Sequence, residues 1–336
     1  MILVTGATGH IGNVLVRELL ARGSQVRVLL LPGEDQDPLK GFEIEAVHGN
    51  VLDLDSLRQA MRGVEVVYHL AGIISILPGK DDLVHRVNVL GTQNVLQAAR
   101  ENGIRRLVYT SSIHAISRTA KGVTIDEQVP FDPDTAISAY DRSKAEASLL
   151  VLDAAQKDLD AVIVCPTGVV GPYDYRLSEM GSLILDAVRM RVHFSVPGAY
   201  DFVDVRDVVQ GLIAACEQGR RAEHYILAGE QITVAKLYRT VRDITGLNAL
   251  HIEVPQWIAQ TSAVIAEPFY RLTKLKPRLT AYALETLASN SVISYAKAAR
   301  ELGYQPRKLR ESIADTIAWL RQVHALRPTL RIGRLP

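Results

Sequence analysis

The segment ILVTGATGHIG, residues 2–12, decides the fold of this 336-residue chain. It begins with the apolar, β-branched character of a buried strand, and a helical pattern starts at Ile11. Between them lie Gly6, Gly9 and Gly12, although glycine inside a regular element costs roughly 0.5–1 kcal/mol relative to alanine. A strand, a glycine-rich turn and a helix in this order can cradle the pyrophosphate of a dinucleotide on backbone N–H groups. We favour this interpretation over a glycine-rich turn that binds nothing.

The N-terminal half alternates strand-like and helix-like segments, which is the order that βαβ units produce. The strand-like runs are 2–5, 25–31, 44–48, 64–70, 106–111 and 161–165. The helix-like segments are 11–21, 56–61, 83–101 and 138–156, and a glycine follows each of the first three as a helix C-cap. We therefore predict an α/β fold, a Rossmann-type doubly wound parallel sheet that binds a dinucleotide, over residues 1–165.

The pattern changes after Cys165. Residues 166–175 and 196–202 are rich in Gly, Pro and Tyr, which predicts loops over a cleft. Strand-like runs at 193–196 and 224–228 flank a helical pattern at 205–217, and further helical patterns begin at Val234, at Ala281 and on both sides of Pro306. We predict a smaller, discontinuous C-terminal substrate-binding lobe at 166–200 and 229–325, a return to the first domain near 202–228, and a tail at 326–336.

The composition argues against several classes of function. The 38 Lys and Arg residues nearly balance the 37 Asp and Glu residues, so no bulk positive field attracts nucleic acid. The chain has neither a basic secretory n-region nor a long apolar run that predicts an integral membrane span. Cys165 and Cys216 lie in apolar contexts, which favours buried thiols over a disulfide or a metal site. We expect a cytoplasmic protein with a small-molecule substrate and without a metal.

Five further motifs follow the glycine turn in a fixed order. They are VYHLAG at 67–72, VNVLGTQNVL at 87–96, VYTSS at 108–112, YDRSK at 140–144 and CPTGVVGP at 165–172. Together with TGATGHIG at 5–12, they resemble the extended short-chain dehydrogenase/reductase family, within the NAD-dependent epimerase/dehydratase superfamily. The resemblance covers nearly the whole chain and is greatest for the dihydroflavonol-reductase-like and 3β-hydroxysteroid-dehydrogenase-like branch.

The resemblance implies NAD or NADP as the cofactor and a set of residues that hold it. These are Thr5, Gly6, Thr8, Gly9, His10, Ile11, Gly12, Asn50, Val51, Leu70, Ala71, Gly72 and Pro166, together with Tyr140 and Lys144. The implied catalytic residues are Ser112, Tyr140, Lys144 and Asn88. Tyr140 and Lys144 are four residues apart and share a helix face. The lysine charge would favour the ionised phenol, which exchanges a proton with a substrate alcohol or carbonyl.

Competing interpretations exist for three residues: Tyr270, Asn88 and His114. Tyr270 repeats the Tyr-x-x-x-Lys spacing with Lys274, but it lies beyond the alternating pattern and is interpreted as a packing or cleft residue. Asn88 either supports the network behind Lys144 or is a helix-surface amide. His114 follows the serine pair closely, and we interpret it as a pocket-wall or surface histidine because the phenol already supplies the acid and base.

The choice between NAD and NADP depends on the residues after the second strand. Leu30 and Leu31 stand where relatives often have Asp or Arg. Glu34, Asp35 and Asp37 follow in the next loop and would repel a 2′-phosphate, which favours NAD. The alternative is that these carboxylates form a solvated acidic loop.

The substrate class is inferred from positions that differ from the nucleotide-sugar enzymes of the family. Those enzymes commonly have Arg-Pro-x-Asn in the CPTG region and an arginine before Asp-Phe, whereas this chain has Cys165, Gly168 and Tyr200. It therefore lacks the donors that a sugar diphosphate needs. The predicted pocket residues are Ile74, His114, Thr167, Tyr173 and Tyr200, which suggest an apolar, tyrosine-rich cleft.

These features favour hydride transfer between nicotinamide and a secondary alcohol or ketone of a hydrophobic, dihydroflavonol- or steroid-like molecule. The alternatives are an NAD-dependent sugar or nucleotide-sugar epimerase or dehydratase, and an inactive nucleotide sensor, which normally lacks the Tyr-Lys pair. The amphipathic segment 255–279 is interpreted as a cleft cap or dimer contact in preference to a membrane-surface helix. A homodimer is the expected assembly, and 326–336 is predicted to be a frayed basic tail.

Overall fold

A computed structural model of the chain describes residues 1–74, 79–259, 261 and 281–325. The Tyr270–Lys274 pair, most of the amphipathic segment 255–279 and the tail at 326–336 lie outside the described residues.

Within the described residues, seven strands form one parallel sheet in the order β3-β2-β1-β4-β5-β6-β10. They are β1 (Ile2–Thr5), β2 (Val26–Leu30), β3 (Glu45–His48), β4 (Val66–His69), β5 (Arg106–Thr110), β6 (Ala161–Pro166) and β10 (His224–Leu227). The strand order reverses between β1 and β4. A ligand crevice forms outside the carboxyl ends of parallel strands at such a switch point.

Helices cover both faces of this sheet, which confirms the predicted doubly wound α/β fold. The helices are α1 (His10–Ala21), α2 (Leu54–Ala60), α3 (Asp81–His85), α4 (Gly91–Glu101), α5 (Ala139–Lys157), α6 (Glu179–Arg189), α7 (Val205–Gln218), α8 (Val234–Thr245), α9 (Ala281–Ala288), α10 (Ala296–Leu302) and α11 (Leu309–Ala325). One face packs against α2, α4 and α5, and the other packs against α1, α7 and α10. A π-helical turn, Arg86–Leu90, joins α3 to α4.

The alternation of side chains along each strand explains the two cores. Leu3, Val67 and Leu107 are fully buried on the α4 and α5 face, whereas Val4 and Val108 are fully buried on the α1 and α7 face. A strand covered on both faces reads as a continuous apolar run, and such runs allowed these strands to be predicted. The residues that follow the ends of α1, α2 and α4 include Gly23, Gly63 and Gly103. Each of these glycines has a positive φ, as the predicted caps require.

Outside the main sheet, the described residues form further short strands, of which the sequence predicted only the one near 193–196. In the described part of the chain, β7 (Gly168–Val170), β9 (Ala199–Asp204) and β11 (Glu230–Thr233) form a sheet in the order β11-β9-β7, and β8 (Val192–Ser195) pairs with β12 (Leu250–Glu253). The prediction of loops over 166–175 and 196–202 is therefore wrong at 168–170 and 199–202. These strands form because they pair with residues that are distant in the chain, and local periodicity does not predict such pairing.

None of the helices in the described ranges is both long and apolar enough to span a lipid bilayer.

Candidate active site

The glycine turn connects β1 to α1 at the switch point of the sheet. Gly6 has φ +72°, and a Cβ there would lie 2.7 Å from the backbone nitrogen of Ala71. A Cβ on Gly12 would collide with the carbonyl oxygen of Gly6. Gly9 caps α1 without a side chain, so the first N–H groups of the helix face an open turn that suits an anionic ligand. The backbone of this turn therefore fits a dinucleotide pyrophosphate.

Asn88 fixes the loop that follows β4. Its Oδ1 accepts from the backbone N–H of Ile73 (2.8 Å), and its Nδ2 donates to the carbonyl of Ile73 (3.0 Å) and to Ser143 Oγ (2.9 Å). Its side chain is almost completely buried, so the helix-surface interpretation is wrong. This buried amide holds Gly72, the predicted cofactor contact at the start of the loop, close to α5.

The other predicted cofactor residues lie around the same crevice. Leu70 and Ala71 follow β4, and Pro166 ends β6. Asn50 Oδ1 accepts from the N–H of Leu52 (2.9 Å), so this oxygen stabilises its own turn, and Val51 is buried beneath α4. The ring of His10 is hydrogen-bonded to the Pro172 carbonyl (3.0 Å). Ile11 lies in the first turn of α1.

Ser112 and Tyr140 lie together beyond the carboxyl end of β5. Tyr140 is a buried residue in the first turn of α5, and the Ser112 side chain lies close enough to its hydroxyl to lower the pKa of Tyr140. Ser111, by contrast, pairs its Oγ with that of Ser148 (2.7 Å) inside the α5 packing. Only the second serine of the VYTSS motif therefore joins the tyrosine.

Lys144 is buried one helical turn from Tyr140 but donates to other groups. Its Nζ donates to the Tyr109 hydroxyl (3.1 Å) and to the Thr110 carbonyl (2.7 Å). Among the described residues, no hydrogen bond joins it to Tyr140. Burial raises the pKa of Tyr140 to about 12, although the Ser112 hydrogen bond opposes this shift. The prediction that Lys144, together with an oxidised nicotinamide, favours an ionised Tyr140 stays a prediction, because burial favours the neutral phenol in the chain alone.

Burial of Lys144 makes a pH-dependent contribution to stability. Its folded-state pKa is lowered to about 7, so between pH 7 and the ordinary lysine value the unfolded chain binds more protons and stability rises with pH. Between pH 7 and 9 the unfolding free energy of the wild type should gain about 2 kcal/mol relative to Lys144→Met. Denaturant unfolding of both proteins at several pH values measures this difference. Parallel pH profiles would contradict it.

An aromatic wall formed by His114, Tyr200 and Tyr282 lies beside Tyr140. The Tyr200 hydroxyl and His114 Nε2 are 2.7 Å apart, and their rings stack with centroids 5.7 Å apart. The His114 ring meets that of Tyr140 edge-on, with centroids 6.5 Å apart. The Tyr282 hydroxyl donates to the buried carboxylate of Asp141 (2.8 Å). Burial lowers the pKa of His114, which favours a neutral imidazole in this wall.

Three of the five predicted pocket residues do not join this wall. Ile74 is 75% exposed. Thr167 is buried and donates its hydroxyl proton to Asp201 (2.7 Å). Tyr173 has φ 69°, and its ring packs against Arg17 (4.4 Å) and Trp319 (centroids 6.4 Å apart). Thr167 and Tyr173 therefore contact other partners, and the place of all three residues in a substrate pocket stays a prediction.

The structure adds a polar cluster at the other end of the crevice. Glu34 accepts from Thr8 Oγ1 at the glycine turn and from Arg176 (2.7 Å), while its Oε2 accepts from the N–H of Leu31 (3.0 Å). Arg176 follows β7 and carried no motif in the sequence, and Tyr282 was missed for the same reason. Asp141 was missed although it belongs to the YDRSK motif. The position of Asp141 directly after Tyr140 was the one available signal.

The reversed strand order, the glycine turn and the buried Ser-Tyr-Lys group define a dinucleotide-binding protein of the Rossmann type. Residues 2–228 match the model of the NAD dependent epimerase/dehydratase family. The chain belongs to this family, which confirms the resemblance found in the sequence. Membership implies a nicotinamide cofactor and a small-molecule substrate.

Several proteins are similar to this chain over nearly its whole length. Sterol demethylase protein B of Methylococcus capsulatus is 37% identical over 95% of this chain and 98% of its own. The 3 beta-hydroxysteroid dehydrogenase type 7 of Mus musculus is 29% identical over 95% of each chain. The crystal structure of gox2253 has a TM-score of 0.84 at 33% identity, covering 97% of this chain and 99% of that one.

Proposed function

We propose that this chain transfers a hydride between nicotinamide and a secondary alcohol or ketone on a hydrophobic, dihydroflavonol- or steroid-like molecule. The observation that carries the proposal is the aromatic wall beside Tyr140. Tyr200 lies in this wall at the position where nucleotide-sugar enzymes of the family commonly have arginine, and its hydroxyl pairs with His114. Such a wall suits an apolar substrate with few polar groups. Two relatives, a sterol demethylase protein and a hydroxysteroid dehydrogenase, support the same class.

The packing around Gly168 also argues against a sugar diphosphate. A Cβ at this position would lie 2.5 Å from the Phe202 ring, so the asparagine of the sugar enzymes would not fit without rearrangement. Arg118 lies near the wall, but its guanidinium is 4.0 Å from Asp141 and 3.7 Å from Glu285. Its charge is therefore already matched by carboxylates.

In this proposal the glycine turn and Lys144 would hold a nicotinamide cofactor, which when bound would supply a hydride to the substrate carbonyl carbon or accept one from the alcohol carbon. Tyr140 donates the proton to the carbonyl oxygen in reduction and removes it in oxidation. Ser112 hydrogen-bonds the same oxygen and stabilises its developing charge. Lys144 binds the nicotinamide ribose, and Asn88 holds the loop after β4 in place.

The test is a panel of ketones and alcohols incubated with NADH, NADPH and their oxidised forms. Steroid and flavonoid substrates should change the nicotinamide absorbance in proportion to turnover, and Tyr140→Phe should not. Nucleotide sugars should give no product. Conversion of a nucleotide sugar without net cofactor change would instead establish the epimerase alternative.

The Glu34 cluster supports NAD as the preferred cofactor. Leu31 directly follows β2, and its N–H donates to the Glu34 carboxylate. This hydrogen bond places an acidic group from three residues later at the end of the strand. The same carboxylate contacts Thr8 at the glycine turn. A carboxylate here binds the ribose 2′-OH of NAD and repels the 2′-phosphate of NADP. Asp35 instead stabilises its own loop by accepting from the N–H of Asp37 (3.0 Å).

Glu34→Gln should reduce the preference for NADH over NADPH by about tenfold, which corresponds to about 1.4 kcal/mol. The change removes the repelling charge and releases Arg176 to bind the 2′-phosphate. Fluorescence titration with each cofactor measures the two dissociation constants. Asp35→Asn makes the same change of charge in the same loop and should leave the preference unaltered. Equal effects of both substitutions would contradict a specific role for Glu34.

We also propose that residues 1–165 with 202–228 hold the cofactor, and that 166–200 with 229–325 form the substrate lobe. A homodimer remains the expected assembly, and sedimentation equilibrium would measure it.

A further inference from the structure

A row of buried polar side chains crosses the main sheet beside the glycine turn. Thr5 on β1 is the register partner of His69 on β4, which is in turn the partner of Tyr109 on β5. All three side chains lie on the face that α4 and α5 cover, and none is more than 1% exposed. Buried polar groups in a sheet are costly unless they are hydrogen-bonded. The partners of this row are therefore informative.

Thr92 on α4 sets the direction of the hydrogen bonds at the centre of the row. It donates its single hydroxyl proton to the Asn88 carbonyl (2.6 Å), so its oxygen accepts from Nε2–H of His69 (3.1 Å). The Nδ1 of this tautomer accepts from the Thr5 hydroxyl (2.8 Å), whose oxygen accepts from the N–H of Ala71 (3.2 Å). The imidazole is neutral, because burial lowers the pKa of His69 to about 3.

Tyr109 connects this row to Lys144. Its hydroxyl lies 3.1 Å from Lys144 Nζ, and its ring lies beside that of His69, with centroids 5.6 Å apart. Since the ammonium group can only donate, the phenol oxygen accepts from it. The second lysine proton goes to the Thr110 carbonyl. The third proton is the one that can reach a ligand in the crevice.

The titratable groups that face Lys144 are all uncharged near pH 7. They are His69 on β4, Cys165 on β6, Tyr109 on β5 and Tyr140 on α5 itself. Burial raises the pKa of Cys165 to about 12 and raises that of Tyr109. No carboxylate among the described groups that act on Lys144 compensates its charge, so neutral oxygen acceptors stabilise the ammonium form.

We propose that Tyr109, which lies beside His69 in this buried row, is a positioning residue for Lys144: its phenol oxygen orients the ammonium group toward the cofactor ribose and helps to keep it protonated. This inference rests on the proposed function, in which Lys144 binds the nicotinamide ribose. It assigns a role to the tyrosine of the VYTSS motif. The sequence placed this tyrosine in a buried strand and assigned it no part in the site.

The first test observes Lys144 without any cofactor. Proteins labelled with 13C at lysine Cε are titrated by NMR, and the Lys144 signal is assigned by its loss in Lys144→Met. In Tyr109→Phe the pKa of Lys144 should fall by about one unit, because the ammonium loses one acceptor. Tyr68→Phe is the matched control, since Tyr68 is equally buried but lies on the opposite face of the sheet, in the core that α1 and α7 cover.

The second test measures the NADH dissociation constant as a function of pH. If binding requires the ammonium form, Tyr109→Phe should weaken NADH binding about tenfold at pH 8 and only about twofold at pH 6. Thr92→Val removes the acceptor of His69 Nε2–H but leaves the Tyr109 hydroxyl beside Lys144, so it should keep the wild-type profile. Tyr109→Leu removes the same acceptor of Lys144 as Tyr109→Phe does and provides a route if Tyr109→Phe does not fold.

The possible outcomes separate the inference from the function on which it rests. If Tyr109→Phe changes neither the Lys144 titration nor the pH profile of NADH binding more than Tyr68→Phe does, the inference is overturned. A uniform loss of affinity at all pH values would show a merely structural effect and would overturn it as well. If the wild type binds no nicotinamide, the proposed function fails, while the lysine titration still decides the role of Tyr109.

Discussion

Tyr140→Phe is expected to lower the turnover of an active ketone about 100- to 10,000-fold, the range in which general acid–base catalysis contributes to rate. The substitution removes the hydroxyl that lies beside Ser112. It keeps the aromatic ring that packs against His114. The crevice and the glycine turn do not depend on this hydroxyl. NADH affinity should therefore change by less than about threefold, or 0.7 kcal/mol.

Steady-state absorbance assays and fluorescence titration of NADH measure the two quantities separately. Tyr68→Phe removes a buried hydroxyl on the opposite face of the sheet and should keep wild-type turnover. Loss of cofactor affinity with retained turnover in Tyr140→Phe would contradict the role of Tyr140 as proton donor.

Gly12→Ala is expected to weaken NADH binding by about 100-fold or more, or about 2.7 kcal/mol. The added methyl group would overlap the Gly6 carbonyl oxygen and approach the Cα of Ala7 within 2.8 Å. Both contacts are with backbone, so α1 must move away from β1 and the cradle between them must open. Overpacking of this kind also destabilises the fold by about 1–3 kcal/mol.

Two other glycines provide graded controls for this prediction. Gly23→Ala lies at the far end of α1 in open space with φ +76°, so it should reduce stability and leave NADH affinity unchanged. Gly9→Ala brings a Cβ to 3.2 Å from the Gly6 oxygen and should have an intermediate effect. Wild-type NADH affinity in Gly12→Ala would show that the turn does not hold the cofactor.

Much of the fold could be predicted because its signals are local. The strands predicted at 25–31 and 64–70 differ from β2 (Val26–Leu30) and β4 (Val66–His69) only at their ends. Strands buried on both faces have continuous apolar runs, and a capping glycine follows each of the first three predicted helices. The pairing of Ser112 with Tyr140 was also predictable, because both residues belong to ordered motifs.

The parts that were missed depend on contacts between distant residues. Strand β9 (Ala199–Asp204) exists because it pairs with β7 and β11, and its own sequence is that of a loop. Tyr173 was predicted in the pocket from its residue type, but its backbone conformation turns the ring toward Arg17. The partner of Lys144 was assumed to be Tyr140 from the helical spacing, whereas the neighbouring strand supplies Tyr109.

The sequence by itself determined that a parallel sheet holds a glycine turn at its switch point, and that a serine, a tyrosine and a lysine follow it in the family's order. Those features depend on residue type and on spacings of a few positions, which the chain carries locally. Only the tertiary structure decided which buried group each of them contacts, because strand register and helix packing bring together residues that are far apart in the chain. The return of Glu34 to the cofactor turn and the row from Thr5 to Lys144 are consequences of that packing.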